Sequence, residues 1–224
     1  WRADPIGGDG HPGAIIAFGP DGHLFLTSGE RQLGDPAQVL GDSRGKILRF
    51  DVSGQPAPGN PFPDAPAVWT LGHRNPYGLT FDTSGRLWSH EMGPRGGDEL
   101  NLIAPGQNYG WPEVSEGRKY SGLPIPDHAT RPEFTPPVIA WPPTVAPSGL
   151  IYYDGAVFPN WRGSLLLGGL ASEALIRVEI GPNTAREVDR WEVGNRIRDV
   201  ATDADGNVYL LEDGDEARLL RLTP

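Results

Sequence analysis

The feature that most restricts this chain is a pattern that returns along it. Ala17 to Glu30 reads AFGPDGHLFLTSGE, Thr80 to Gly93 reads TFDTSGRLWSHEMG, and Ala201 to Gly214 reads ATDADGNVYLLEDG. Each copy is a short apolar run, a turn centred on Asp-Gly or Ser-Gly, an alternating run, and an acidic or glycine loop. Asp-Gly between two alternating runs is a strong hairpin signal, because glycine takes the positive φ that a tight turn needs. The interval between the second and third copies holds a looser unit, Gly149 to Ile180, with GLIYYDG, GSLLLGGL and EALIRVEI. Lys46 to Val52 (KILRFDV) and Arg218 to Thr223 (RLLRLT) read as outer strands of their units. Four units of about 40–50 residues fit a β-propeller array better than a β-sandwich, whose strands need not repeat in sequence. No segment keeps a clean 3.6-residue apolar period, so little helix is expected.

Composition agrees and removes some functions. The 31 Gly and 24 Pro suit many short strands joined by turns. Two proline-rich connections, Gly54 to Ala67 and Gly117 to Thr144, are expected to be extended and ordered by packing rather than hydrogen bonds. With no Cys there is no disulfide, thiolate metal site or Cys nucleophile. A net charge of -10 argues against sequence-independent binding to nucleic acid, which needs a basic face. No apolar run approaches a membrane span. Among the 19 basic residues only Lys46 and Lys119 are lysine.

Several residues are candidates for chemistry, and each has a plainer reading. His11, in a Gly/Pro loop just before the first strand, is either a general base or a surface histidine; His23, in the turn, reads as solvated. Arg74 and Asn75 can bind a carboxylate or cap a strand. Arg196 and Arg198 share one face of a strand, and need either an anionic ligand or a neighbouring carboxylate such as Asp199. Trp141, in WPPTVAPSG, either offers a flat face to a planar ligand or packs in the core. The Gly- and Pro-rich acidic loop from Glu91 could supply oxygens to Ca²⁺, while Asp98 and Glu99 could equally pair with Arg95 or cap a strand.

Three motifs decide between these readings: GHRNPYGL (Gly72 to Leu79), EMGPRGGDELNLI (Glu91 to Ile103) and NYGWP (Asn108 to Pro112). Together and in this order they resemble the soluble PQQ-dependent glucose/aldose sugar dehydrogenases, a family of six-bladed β-propellers. The resemblance covers essentially the whole chain. It implies an all-β propeller of the six-bladed type, with residues 1–224 forming about four blades of a single domain and further blades preceding Trp1. It implies a quinoprotein that oxidises the C1 hydroxyl of aldoses to the lactone. Hydride would pass to PQQ, with electrons leaving to a soluble or artificial acceptor, in a periplasmic or secreted setting. His11 would be the general base, and Arg198 would stabilise charge beside the quinone. Arg74, Asn75, Trp141, Thr144, Arg196 and Arg198 would contact PQQ. The carbonyls of Gly93 and Pro94 would hold the Ca²⁺ that polarises the cofactor, with Glu99 and Tyr109 at a second Ca²⁺. The chain departs from the family pattern at Gly10, Ala14 and Ile15 around the base, and at Ala171, where a lysine is usual. Arg31 or another loop cation is expected to compensate at the last. A propeller that binds carbohydrate or protein without catalysis is the alternative. A metal-dependent lactonase is disfavoured, because the acidic residues cluster in one loop.

Overall fold

The computed structural model describes residues 1–3 and 8–224. They form two compact units, Trp1–Pro142 and Pro143–Pro224. The first unit holds two four-stranded antiparallel sheets. One runs in the order β1 (Gly13–Phe18), β2 (Leu24–Ser28), β3 (Lys46–Phe50), β4 (Val68–Leu71). The other runs β5 (Pro76–Phe81), β6 (Leu87–Glu91), β7 (Asp98–Ile103), β8 (Ile139–Trp141). The second unit holds a four-stranded sheet of β9 (Pro147–Tyr153), β10 (Ser164–Gly169), β11 (Ala174–Ile180) and β12 (Ala185–Glu192). Its other sheet is three-stranded: β13 (Ile197–Thr202), β14 (Val208–Glu212), β15 (Leu219–Arg221). Sheets in which each strand pairs with the next are the blades of a β-propeller. The described residues are all-β and supply four of them. Helix among the described residues is confined to three short 3₁₀ turns, at Asp35–Gln38, His128–Thr130 and Pro159–Trp161.

The repeated turn has one geometry. In Gly19–His23, Asp51–Gln55, Asp82–Arg86 and Asp203–Asn207, the first N–H donates to the fifth carbonyl and the fourth N–H to the first carbonyl, at 2.8–3.1 Å. The fourth residue is always glycine, Gly22, Gly54, Gly85 and Gly206, with φ of 78° to 89°, a backbone state that costs side-chain-bearing residues about 1 kcal/mol or more. Where the first residue is Asp, its Oδ1 also accepts the N–H groups of the third and fifth residues. Asp51 and Asp203 are held below the usual carboxylate range, first by the side chains of Ser53 and Asn207. In Asp82 burial pushes the other way, and the Trp88 indole and Arg86 more than offset it.

Alternating strand residues build the cores. In the first unit Phe25, Ile47, Leu79, Leu87, Ile103 and Tyr109 form one buried cluster, and Leu48, Phe50, Ala65 and Val68 a second. In the second unit Tyr153, Leu166, Leu175, Ile197, Val200, Val208 and Leu210 pack together.

Three local expectations change. Lys46 to Val52 is not an outer strand: β4 pairs beyond β3, whereas β15 is an edge. The proline-rich connections are hydrogen-bonded as well as packed. Asn60 donates to the carbonyls of Arg49 and Pro66, Arg49 donates to Pro58 O and Asn60 Oδ1, and the N–H groups of Thr135 and Val138 bond Asn108 and Leu100. Proline removes donors, and the side chains of Arg49 and Asn60 take over part of that work. His23 is not simply solvated; it lies 3.1 Å from Asp21 and 3.0 Å from Arg49.

Candidate active site

Hairpin register brings the first pair together. In β1–β2, Gly13 faces Ser28, and the Gly29 N–H donates to Pro12 O at 3.1 Å. His11 and Glu30, 19 residues apart, therefore meet just beyond the paired ends, where His11 Nδ1 bonds the Glu30 carboxylate. His11 holds a left-handed φ of 50°. A side chain at position 29 would sit 2.0 Å from His11 O, so only glycine lets the loop close this tightly. With Nδ1–H donated to the carboxylate, His11 keeps Nε2 as its free lone pair.

Glu30 is almost completely buried, 1% exposed, and also accepts the Gly34 N–H at 2.5 Å. Burial pushes its pKa up, but the bonds from His11 and Gly34 and the nearby charges of His11 and Arg74 more than offset this, leaving it lowered. A depressed carboxylate adds stability above its unfolded value, and that contribution fades as pH falls through the folded value. The stability difference between the wild-type chain and Glu30→Gln, read from urea melts, is thus expected to be full at pH 7 and to shrink steadily below about pH 4.5. A difference constant from pH 7 to 3 would contradict the assignment.

The second sheet supplies the next residues. His73, Arg74 and Asn75 precede β5 and are buried. His73 is fixed by Thr70 (2.9 Å) and Glu91 (2.9 Å) and stacks on Tyr109. The Arg74 N–H donates to Glu91 Oε2 at 2.6 Å, and Arg74 O accepts the Glu30 N–H at 2.9 Å. Asn75 Oδ1 accepts the Gly13 N–H at 3.2 Å, tying the His11 loop to β5. The Arg74 guanidinium donates through Nη1 to Met92 O and Gly93 O and through Nη2 to the Tyr120 hydroxyl. It lies against the rings of Trp111 and Tyr120, 5.2 and 5.8 Å from their centroids. Its Nε, and Nε1 of Trp111, are buried N–H groups with no acceptor.

These groups line a cleft of about 630 Å³ with His11, Glu30, Arg74, Trp111, Lys119 and Tyr120 on its walls. That size suits a cofactor-sized ligand. PQQ is planar, with three carboxylates and two carbonyls. Two buried donors lacking acceptors, an arginine and two aromatic faces fit such a ligand.

The loop after β6 meets β7 in a separate small cavity of about 10 Å³, bounded by Glu91, Gly93, Pro94, Glu99 and Tyr109 among others. The four residues expected at metal, Gly93, Pro94, Glu99 and Tyr109, thus adjoin one space large enough for a single ion or water. Gly93 O already accepts from Arg74, Pro94 O from Gly97 N–H at 2.9 Å, and Tyr109 O lies 3.1 Å from His128 Nε2. Each carbonyl keeps a second lone pair. Burial first, and then the charge of Glu91, push the Glu99 carboxyl well above its usual range. Two buried carboxylates with carbonyls around them suit a hard cation such as Ca²⁺. No group of three or more acidic or His side chains among the described residues could form a ligand set, so a cation here would draw on carbonyls. Neither Asp98 nor Glu99 pairs with Arg95; Asp98 accepts the Gly93 N–H at 3.0 Å and shapes the loop.

The remaining expected residues lie elsewhere. Trp141 ends β8 and is buried, not on the wall of the cleft; Trp111 and Tyr120 provide the aromatic faces there. Thr144 is exposed at the start of the second unit. Arg196 and Arg198, also in the second unit, share Asp213, at 2.9 and 3.1 Å, rather than Asp199, which caps the Val200 N–H. Arg31 does not line the cleft. Glu30, Trp111, Lys119 and Tyr120 went unassigned in the sequence. Glu30 carried a signal in the acidic loop closing its hairpin repeat, and Trp111 in the NYGWP motif.

The sequence matches, over residues 1–221, the family described as Glucose / Sorbosone dehydrogenase. Aldose sugar dehydrogenase YliI of Escherichia coli is 36% identical over 225 residues, 96% of this chain and 60% of that protein. A crystal structure of a glucose dehydrogenase is 41% identical, with a TM-score of 0.89 over 95% of this chain and 64% of its own. The PQQ-bound form of aldose sugar dehydrogenase from Streptomyces coelicolor is 36% identical, with a TM-score of 0.77 over 96% of this chain and 62% of its own. The chain spans 56 to 60% of the length of the curated relatives it matches first. No helix among the described residues is long and apolar enough to cross a membrane. On the family match and these identities, the chain belongs to the glucose/sorbosone dehydrogenase family.

Proposed function

We propose that the protein containing this chain is a PQQ- and Ca²⁺-dependent aldose dehydrogenase that oxidises the C1 hydroxyl of a sugar to the lactone. The observation that carries the reading is the His11–Glu30 pair opening onto the same cleft as Arg74, with two buried donors left without acceptors. When bound, PQQ supplies the two-electron acceptor that no side chain can provide. The protein's own residues do the rest. Glu30 holds the His11 tautomer, and Nε2 takes the proton of the sugar hydroxyl. Arg74 holds a carboxylate of the cofactor, and the rings of Trp111 and Tyr120 exclude water from one edge. Asn75 fixes the His11 loop through Gly13 and is the further cofactor contact in this sheet. The carbonyls of Gly93 and Pro94 would hold the Ca²⁺ at the cofactor, with Glu99 and Tyr109 at a second, structural Ca²⁺. Trp141, Thr144, Arg196 and Arg198 are proposed as additional PQQ contacts, with Arg198 countering charge that develops at the quinone. Electrons then leave to a soluble or artificial acceptor, and the family likeness suggests a periplasmic or secreted setting.

Reconstitution tests this. The full natural protein, stripped of metal and cofactor, is titrated with PQQ and Ca²⁺ while dye reduction is followed with a panel of aldoses. Turnover requiring both additions and a sugar is the expected result. Tight PQQ binding without turnover on any aldose would overturn the substrate assignment. No PQQ binding would leave the non-catalytic binding propeller as the better reading.

A further inference from the structure

Lys119 is the one exposed lysine of the chain, and it stands on the wall of the cleft. Its partner in residue type, Lys46, is fully buried. Every other cation is arginine, so an ammonium on this surface is a departure from the chain's own habit. The charged groups around the cleft leave it unbalanced. His11 and Glu30 are taken up with each other, and Asp35 is the one other acid on the wall. The Lys119 ammonium makes no ion pair among the described residues.

The backbone beneath it is fixed. Residues Lys119–Leu123 repeat the same turn as the blade hairpins, with Lys119 N–H to Leu123 O at 3.0 Å, Gly122 N–H to Lys119 O at 2.8 Å and φ of 87° at Gly122. Arg118 and Arg95 exchange backbone bonds at 3.0 and 3.2 Å, which ties the hairpin to the loop that follows β6. Tyr120, 72% exposed, is held by its hydroxyl to the buried Arg74. A turn anchored at both its base and its tip places the Lys119 backbone rather than letting it wander.

Resting on the PQQ reading above, we infer that Lys119 is a second cation of the cofactor site, pairing with a carboxylate of PQQ other than the one held by Arg74. Arg74 is deep, planar and wedged between rings; Lys119 is shallow and exposed. A rigid tricarboxylate has charges at separated edges, and one guanidinium cannot reach them all. The exposed position makes this contact salt-sensitive, unlike the buried one.

The test is direct binding, not turnover. PQQ is titrated into the cofactor-free full protein and followed by quenching of tryptophan fluorescence. Lys119→Ala is expected to raise Kd about 5- to 10-fold at low salt and to flatten the dependence of Kd on salt, as an exposed ion pair does. Lys119→Arg should stay within about 3-fold of wild type. In the unmutated protein, reductive methylation of Lys119, read by peptide mass spectrometry, should be suppressed by saturating PQQ. A wild-type protein that binds PQQ, with Lys119→Ala showing an unchanged Kd or Lys119 labelled equally with and without PQQ, overturns this inference alone. A wild-type protein that does not bind PQQ overturns the cofactor reading and this inference with it.

Discussion

His11→Ala in the reconstituted enzyme is expected to lower kcat for aldose oxidation by about 10²- to 10⁴-fold, the usual worth of a positioned general base. The Kd for PQQ should hardly move. The two readouts separate the roles. His11 lies on the cleft with Nδ1 bonded to Glu30, which leaves Nε2 as the nitrogen available to act as a base. Removing it removes proton transfer, not cofactor binding. Glu30→Gln should fall between wild type and His11→Ala, because an amide oxygen still accepts from Nδ1–H but no longer stabilises an imidazolium. If instead PQQ affinity collapses with His11, the residue is part of the cofactor cradle and the base lies elsewhere.

The residues legible in the sequence were those whose meaning is local. An Asp-x-x-Gly turn is a short-range object: its hydrogen bonds join residues at most four apart, and its glycine is required by φ. Three of these turns, at Gly19–His23, Asp82–Arg86 and Asp203–Asn207, announced their hairpins before any tertiary contact was considered. Arg74 and Asn75 were legible for a different reason, as part of a motif that the family resemblance carries whole. What could not be read was pairing between hairpins. Tyr120 reaches Arg74 across 46 residues of sequence, and nothing at either position marks the other. The partner of Arg196 and Arg198 illustrates the same limit. Asp199 is near in sequence, but the antiparallel register of β13 and β14 brings the loop after Glu212 alongside, so Asp213 takes both guanidiniums. Trp141 was open in the sequence between a presented ring and a core ring; in the structure it pairs with Asp98 at the end of a strand and is buried.

Lys46→Met is expected to destabilise the fold by about 3 kcal/mol. For a chain of this size that corresponds to a fall in Tm of roughly 6–12 °C. Lys46 is fully buried at the start of β3, and its ammonium donates to the carbonyls of Pro36, Ala37 and Arg44 at 2.8, 3.1 and 2.7 Å. Three carbonyls stand where water would, which is the condition for keeping a charge inside. Methionine fills similar space but leaves those oxygens without that donor. The loss should also reach the site. Ala37 O accepts the Gly72 N–H at 3.0 Å, and Gly45 O accepts the His73 N–H at 3.1 Å, so the turn that Lys46 clamps is bonded to the residues directly before Arg74. His73 in turn is locked to Glu91, which receives the Arg74 N–H. A looser turn should shift Arg74 by a fraction of an ångström and weaken PQQ binding together with the fall in Tm. Lys46→Arg should not rescue either effect, because a guanidinium is wider than a sealed pocket shaped for a compact ammonium. Circular-dichroism melts and PQQ titrations of both variants check this. A Tm within about 2 °C of wild type for Lys46→Met would mean that the carbonyls find other donors, and that the clamp contributes little to holding Arg74 in place.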